Sequence, residues 1–295
     1  MSEPIIWRHA YGHLTIDRPI VMGILNVTPD SFSDGGVLAT VDQAVDHAMQ
    51  LVALGADLLD VGGESTRPQG ATAVSADEEM RRVIPLVRAL AKALPKTLVS
   101  VDTTKSAVAE AAIGAGAAVV NDVSGFRLDA RMRGVCAAAG VGVVLMHSRG
   151  GVADMASYAH AHYESVVDEV VAELSDRVAD ARDAGVASES IVLDPGIGFA
   201  KRGAHSLAVL GGLASVAALG FPVLVGVSRK RFIAELTDEP VPANRVAGTV
   251  AANVAALERG ARLFRVHDVR PNRQALDVAW AIMTAARSPG ALRSS

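Results

Sequence analysis

Eight short apolar runs, separated by segments with helical periodicity, predict an α/β chain folded as a (β/α)8 TIM barrel. The segments between the runs span roughly 20 to 45 residues, and most carry Ala, Leu and Val at helical spacing. The chain has 295 residues, close to one barrel of this type, and 50% of them are hydrophobic. We therefore predict a single domain over residues 1–288, followed by a disordered tail over 289–295.

The segment before the first run, IIWRHAYGHLTIDRP, alternates and carries a turn signal at Tyr11 and Gly12. This pattern predicts a short N-terminal β-hairpin that plugs the amino-terminal end of the barrel. Helices are predicted over 41–54, 77–94, 105–115, 129–139, 163–184, 205–218, 243–259 and 271–287. Six glycines are expected to end most of them as carboxyl caps: Gly55, Gly116, Gly140, Gly185, Gly220 and Gly260.

Composition narrows the class of function. The formal net charge is −4, so nothing global attracts nucleic acid or an anionic membrane, and an anionic ligand must be held by local charges. Cys136 is the single cysteine, which excludes an intrachain disulfide and a multi-cysteine metal site, and we expect it to be buried and inert. The sequence has neither a signal-peptide pattern nor an apolar stretch of about 18 residues. We expect a soluble, cytoplasmic protein.

Each apolar run stops at a polar residue that is able to do chemistry. In a barrel of this type the carboxyl ends of the strands form the active-site mouth, so these stops are expected to converge there. The runs end at Asn26, Asp60 to Glu64, Asp102, Asp122, His147, Asp194, Ser228 to Lys230 and His267.

Asp102, Asn121 and Asp194 are polar residues at the ends of apolar runs. Carboxylates at an apolar mouth need hydrogen-bond donors, and an aminopyrimidine-like heterocycle supplies paired N–H groups. For any one acid the alternative is a helix cap or a pair with a nearby arginine. Several such residues around one mouth favour ligand binding.

Cations follow the last two runs, at Arg229, Lys230, Arg265 and His267. The final strands commonly build a phosphate site in this fold, so the cluster suits a diphosphate. Asn26 lies across the closure and offers an oxygen ligand for Mg2+, an ion that usually keeps waters and binds through substrate phosphates. The alternative is a salt-bridge ring that closes the barrel.

Long polar segments follow three of the runs, over 27–40, 62–76 and 148–162, where lids and substrate clamps usually sit. The second contains Arg67, whose planar guanidinium suits a carboxylate or phosphate, although an arginine before a proline is usually just solvated. His147 is interpreted either as a general acid or base, or as a residue that hydrogen-bonds its backbone surroundings.

The ordered motifs GILNVTPDSFSDGG, DVGGESTRP, SVDT, NDVSG, LMH, LDPGIGF, SRKRF and GTVAAN with RVHDV resemble the dihydropteroate synthase family of folate biosynthesis. The resemblance covers about residues 20 to 285. It implies a transferase that joins 6-hydroxymethyl-7,8-dihydropterin diphosphate to p-aminobenzoate and releases diphosphate. It also implies Mg2+ as cofactor and a homodimer as the assembled form.

The resemblance assigns roles position by position. The residues expected to carry catalysis are Asp102, Asp194, Lys230, Arg265 and His267. Of these, Asp102, Asp194 and Lys230 match pterin-binding residues together with Asn121, whereas Arg265 and His267 match residues that hold the diphosphate. Asn26 matches the metal ligand. The further substrate-binding residues are Phe32, Thr66, Arg67 and Pro68 in the first two loops, and Met146, Phe199, Ser228 and Arg231 in later motifs.

Two departures from the family pattern lie near the p-aminobenzoate side. Gln69 reads as a one-residue insertion in the second loop, and Ser148 stands where many members carry a second methionine. They leave open a paralogue that binds pterin diphosphate with little or no condensation activity. A pterin-dependent methyltransferase on the same barrel is disfavoured, because that reaction has no diphosphate for Lys230, Arg265 and His267 to hold.

Overall fold

The computed structural model describes residues 4–27, 41–64 and 74–285. Eight parallel strands in this part of the chain close into a barrel, and an antiparallel hairpin precedes it, so the predicted fold is confirmed. The hairpin is formed by β1 (Ile5–His9) and β2 (Gly12–Ile16). The barrel strands are β3 (Ile20–Asn26), β4 (Leu58–Gly62), β5 (Leu98–Asp102), β6 (Val119–Asp122), β7 (Gly142–Met146), β8 (Ile191–Asp194), β9 (Val223–Val225) and β10 (Ala261–Val266).

Helices alternate with the barrel strands and pack outside them. They are α1 (Val41–Ala53), α2 (Ala76–Ala93), α3 (Ser106–Ala115), α4 (Met132–Ala139), α5 (Val166–Asp183), α6 (Gly203–Gly211), α7 (Leu213–Ala217), α8 (Arg231–Thr237), α9 (Val246–Glu258) and α10 (Val269–Ala285). The six glycines predicted as caps all have positive φ, a conformation that glycine adopts readily.

Two helix predictions were incomplete. The segment predicted as one helix over 205–218 is interrupted at Gly212, because two consecutive glycines favour a break and a side chain at Gly212 would lie 2.9 Å from Val167 of α5. The seven-residue helix α8 was not predicted. It is too short to show helical periodicity, and it is buried mainly through Phe232 and Ile233.

The hairpin covers the amino-terminal end of the barrel, as predicted. Trp7 is fully buried and packs with the barrel-interior residues Met22, Val144 and Leu224. Its indole Nε1 donates a hydrogen bond to the Ser190 carbonyl at 2.9 Å. The turn lies one residue earlier than predicted, because His9 pairs with Gly12 and Gly12 already belongs to β2.

The strand register brings polar residues to one level at the opposite end. Asn26 pairs with Gly62, Gly62 with Asp102, and Asp102 with Asn121, across four consecutive strands. The strands carry these residues after stretches that are buried on both faces, as expected for a parallel sheet covered by helices.

In the described ranges, no helix is both long and apolar enough to cross a membrane. The tail over 289–295 lies outside the described residues. The single domain over residues 1–288 stays a prediction.

Candidate functional site

Arg265 on β10 joins two carboxylates on other strands. Its Nε lies 2.6 Å from Asp60 Oδ2, and its Nη2 lies 2.8 Å from Asp102 Oδ2. Asn121 Nδ2 donates to the same Asp60 oxygen at 3.0 Å. Burial lowers the pKa of Arg265, but the two carboxylates outweigh this effect and raise it, so the guanidinium stays charged.

The sequence analysis assigned no role to Asp60, although Asp60 begins the polar end of the second apolar run. It is fully buried, and within the described residues its Oδ1 has no hydrogen-bond partner. A buried carboxylate oxygen without a donor is costly, which indicates a ligand or water that donates to it. The available signal was an acid inside the apolar strand LLDVG.

The second carboxylate group of the mouth is centred on Asp194. Its Oδ1 accepts a hydrogen bond from the Gly196 backbone N–H at 2.7 Å. A Cβ placed on Gly226 would lie 3.9 Å from Asp194 Oδ2 and 4.0 Å from Arg265 Cβ. The Asp194 carboxylate therefore lies close to the residues of β9 and β10 and shares the mouth with Arg265.

Lys230 lies beside this carboxylate and over an aromatic ring. Its Nζ is 4.1 Å from the ring centroid of Phe199, within the range of a cation–π interaction. Burial lowers the pKa of Lys230 to about 8, and Asp194 opposes that shift. The pair thus brings a cation and a flat apolar surface to one side of the mouth.

Asp102 and Asp194 both have raised pKa values. Burial raises the pKa of Asp102 to about 7, against the effect of Arg265, and the neighbouring Asp60 raises it further. Burial likewise raises the pKa of Asp194 to about 6, against the Gly196 hydrogen bond and the charge of Lys230. Donors from a ligand would favour the ionised form of both groups.

The loops after β9 and β10 are tied together. Ser228 Oγ lies 2.9 Å from His267 Nδ1 and accepts a hydrogen bond from the His267 backbone N–H at 3.1 Å. Arg229, which has a positive φ of 59°, pairs with Asp268 through Nε at 2.9 Å and Nη2 at 2.6 Å. Arg229 and Arg265 thus both form the ion pairs that the salt-bridge alternative predicts, and those of Arg265 lie within the mouth itself.

Arg231 is the first residue of α8 and faces a different environment. Its guanidinium carbon lies 3.9 Å from the Tyr158 ring centroid, and its Nε lies 3.7 Å from Glu235 Oε1. Met146, in contrast, is buried in a small apolar cluster with Val123, Met155 and Phe199. This cluster forms the apolar surroundings of the Phe199 ring.

His147 is a buried, neutral histidine. Its Nδ1 lies 2.7 Å from Lys201 Nζ, and its Nε2 lies 3.2 Å from Glu173 Oε2. Burial, and then the charge of Lys201, lower the pKa of His147 to about 4, so the imidazole is neutral near pH 7 and cannot act as a general acid from its protonated form. Lys201 was missed at the sequence level, although it directly follows the motif LDPGIGF and Ala200.

The remaining residues singled out from the sequence either have local contacts that account for them or lie outside the described residues. Ser148 is buried and its Oγ donates to the Val123 carbonyl at 2.7 Å. Burial raises the pKa of the Cys136 thiol to about 12, in line with an inert cysteine. In the described part of the chain, no group of three His, Cys, Asp or Glu residues could hold a metal ion. Phe32, Thr66, Arg67, Pro68 and Gln69 lie outside the described residues.

Comparison with known proteins identifies the family. Residues 22–267 match the model of the family described as "Pterin binding enzyme". The dihydropteroate synthase of Bacillus subtilis is 44% identical over 86% of this chain and 85% of its own length, and that of Mycobacterium leprae is 46% identical over 88% and 93%. A solved Xanthomonas albilineans dihydropteroate synthase with 4-aminobenzoic acid has a TM-score of 0.87 at 48% identity, covering 94% of this chain and 98% of that chain. A second, in complex with 7,8-dihydropteroate, has a TM-score of 0.84 at 45% identity and covers the same shares. The chain therefore belongs to the pterin-binding enzymes and, among them, to the dihydropteroate synthase family.

Proposed function

We propose that this chain condenses 6-hydroxymethyl-7,8-dihydropterin diphosphate with p-aminobenzoate, forming 7,8-dihydropteroate and diphosphate. The observation that carries the proposal is the grouping of buried acids with cations at one mouth, where Arg265 forms ion pairs with Asp60 and Asp102, and the charges of Lys230 and Asp194 act on each other. Relatives with this reaction product or with 4-aminobenzoate bound have the same fold. The acids and Lys230 suit the ring of a pterin, and Arg265 with His267 suits its diphosphate.

The pterin ring is assigned to the acids. Asp102 and Asp194 are acceptors for ring and amino N–H groups, and ionised carboxylates form stronger hydrogen bonds than neutral acceptors. Asp60 Oδ1, which has no partner among the described residues, offers a further acceptor. The Phe199 ring and the Lys230 ammonium supply a flat contact and a positive charge beside the ring.

The reaction needs charge stabilisation more than proton transfer. The bond between the pterin methylene carbon and the diphosphate oxygen breaks, and the arylamine nitrogen donates its lone pair to that carbon and then loses a proton to water. Asp102 and Asp194 favour the positive charge that develops on the pterin, while Arg265 and His267 favour the leaving charge. An arylamine is neutral at pH 7, so a strong general base is unnecessary.

Magnesium is part of the proposal through Asn26. The Asn26 amide oxygen lies at the mouth, where a Cβ on Gly62 would be 3.3 Å from its Oδ1. One amide ligand fits an ion that keeps several waters and binds through substrate phosphates. When bound, Mg2+ would add positive charge at the leaving diphosphate.

The direct test follows diphosphate release and dihydropteroate formation in parallel, with Mg2+ present and with or without p-aminobenzoate. Release that depends on p-aminobenzoate and matches product formation is the expected result. Tight binding of pterin diphosphate without condensation would instead support the paralogue suggested by Gln69 and Ser148. Absence of pterin binding would contradict both readings.

Pterin affinity is expected to fall as the pH drops below about 7, because Asp102 and Asp194 then bind protons and stop accepting from the ring. Their raised pKa values, about 7 and about 6, place this loss between pH 7 and pH 5. For one controlling group the loss is about tenfold per pH unit below its pKa. Calorimetric titration of the pterin diphosphate at several pH values measures this loss of affinity.

In Asp194→Asn, the affinity for pterin diphosphate should be roughly 10- to 150-fold weaker at pH 8, and the barrel should stay folded. An affinity equal to that of the wild type would contradict the assignment.

We propose a homodimer that uses the outer face of α10. Val278 and Ile282 lie one helical turn apart on this helix and are 61% and 67% exposed. Two neighbouring apolar side chains exposed to water favour burial against a second copy of the chain. Val278→Lys together with Ile282→Lys should convert the dimer to a monomer in sedimentation experiments. Leu236→Lys, at a 62% exposed position of α8, is the matched control and should leave the dimer intact. A wild-type chain that sediments as a monomer would contradict the proposal.

The cytoplasmic location expected from the sequence stays a prediction.

A further inference from the structure

Lys201 is a fully buried lysine beneath the site, and the mechanism above does not use it. Its side chain is 1% exposed. The Nζ atom lies 2.7 Å from His147 Nδ1, 3.1 Å from the Gly196 carbonyl and 3.1 Å from the Phe199 carbonyl. An ammonium has three N–H donors, and neutral His147 can accept at Nδ1, so each proton has one acceptor. No carboxylate of the described residues lies within 4.0 Å of Nζ to form an ion pair.

Both carbonyls belong to the loop that connects β8 to α6 and carries two proposed site residues. Asp194 opens this loop and Phe199 lies near its end. Gly196 accepts a hydrogen bond from Lys201 at its carbonyl. Its backbone N–H donates to the Asp194 carboxylate at 2.7 Å. The Phe199 residue, whose carbonyl accepts from Lys201, supplies the ring under Lys230. Lys201 therefore contacts the backbone on both sides of the loop.

The loop has a backbone that requires support. Gly196, Gly198 and Ala200 have positive φ values of 66°, 79° and 47°, and such a value is costly for the alanine. A strained conformation persists only where surrounding contacts determine it. The Ala200 N–H donates to the Met155 carbonyl at 2.6 Å, the Asp194 carbonyl accepts from the His147 N–H at 2.8 Å, and Lys201 adds two hydrogen bonds from below the loop.

We propose that Lys201 is a positioning residue for the pterin end of the site, which holds the loop 194–199 so that Asp194 and Phe199 face the ligand. The inference rests on the proposed function, because it assigns the pterin ring to these two residues. Lys201 acts through the loop backbone and has no contact with substrate.

The charge of Lys201 supports the same role. Burial lowers the pKa of Lys201 to about 7, while the carboxylates of Asp194 and Glu173 oppose that shift. In return, Lys201 is one of the cations that lower the pKa of Asp194 against the effect of burial. Removing the ammonium would therefore favour the protonated form of Asp194, which accepts less well from a pterin N–H group.

The test compares Lys201→Met with the matched variant Arg273→Met in the full-length protein. Methionine keeps most of the apolar stem and removes all donors. Arg273 is also a buried cation, 8% exposed, and it donates to the Pro19 carbonyl at 2.8 Å at the amino-terminal end of the barrel. Each variant loses buried hydrogen bonds, but only Lys201 contacts the loop of the site. The Tm of each variant is measured first. The Kd for pterin diphosphate with Mg2+ is then measured by calorimetry at a temperature well below the Tm of either variant.

We expect both variants to have a lower Tm, and only Lys201→Met to bind pterin diphosphate about tenfold or more weakly. Equal Kd values for Lys201→Met and the wild type would overturn the inference while leaving the proposed function intact. A wild type that does not bind the pterin diphosphate would overturn the proposed function itself. If Lys201→Met does not fold, Lys201→Leu, which also lacks N–H donors, is measured in the same way. A Kd for this variant within twofold of Arg273→Met would likewise count against the role.

Discussion

Arg265→Ala is expected to abolish turnover and to lower the free energy of unfolding by about 3–5 kcal/mol, because it leaves buried carboxylates without their cation. Asp60 is fully buried and relies on Arg265 Nε at 2.6 Å, and Asp102 relies on Arg265 Nη2 at 2.8 Å. The same change removes a positive charge from the proposed diphosphate site. Chemical denaturation measures the stability, and diphosphate release measures the turnover.

The double variant Asp60→Asn with Arg265→Ala separates these two effects. An asparagine at position 60 carries no charge, so it removes one of the two unpaired carboxylates. We expect this variant to recover part of the lost stability while diphosphate release stays absent. Retention of wild-type diphosphate release in Arg265→Ala would rule out the assigned role of the guanidinium.

Gly196→Ala is expected to destabilise the protein by about 2–5 kcal/mol, the sum of backbone strain and overpacking. Gly196 has a φ of 66°, and a Cβ at this position would lie 1.9 Å from the His147 carbonyl oxygen. Backbone cannot give way as a flexible side chain does, so the loop must move. That movement takes the Gly196 N–H away from Asp194, and pterin affinity should fall together with stability.

Gly140→Ala is the matched control for this change. Gly140 has nearly the same φ, 62°, but a Cβ there meets nothing within 4 Å. The control should cost about 1–2 kcal/mol from strain alone and leave pterin affinity unchanged. Similar unfolding energies for the two variants would show that the contact with His147 adds nothing.

The parts of the fold that repeat were predictable from the sequence, and the exceptions have local causes. Apolar runs located the barrel strands, because strands buried on both faces are continuously apolar in sequence. Helical periodicity located most helices. Helix α8 has only seven residues, which is too few for a periodic signal. The break at Gly212 depends on a close approach to Val167 of α5, and that contact is not local in sequence.

The candidate site follows the same division. The sequence marks the ends of the strands by a change from apolar to polar residues. It therefore predicted that Asp102, Asn121 and Asp194 lie at one mouth. Asp60 was harder to interpret, because its partner Arg265 lies 205 residues away. Lys201 carries no motif of its own, and its role depends on carbonyl groups, which every residue has.

The ion pairs of Arg265 also link the making of the site to the last strand of the barrel. Among the described residues, β10 is the strand synthesised last, and its arginine reaches past β3 to carboxylates on β4 and β5, 205 and 163 residues earlier. During synthesis, the early strands therefore carry unneutralised acids at their ends until β10 arrives. Contacts at such long separation are slow to form, since the chain between them must be ordered first. Closing the barrel and neutralising these acids are thus a single step, and a nascent chain without β10 has achieved neither.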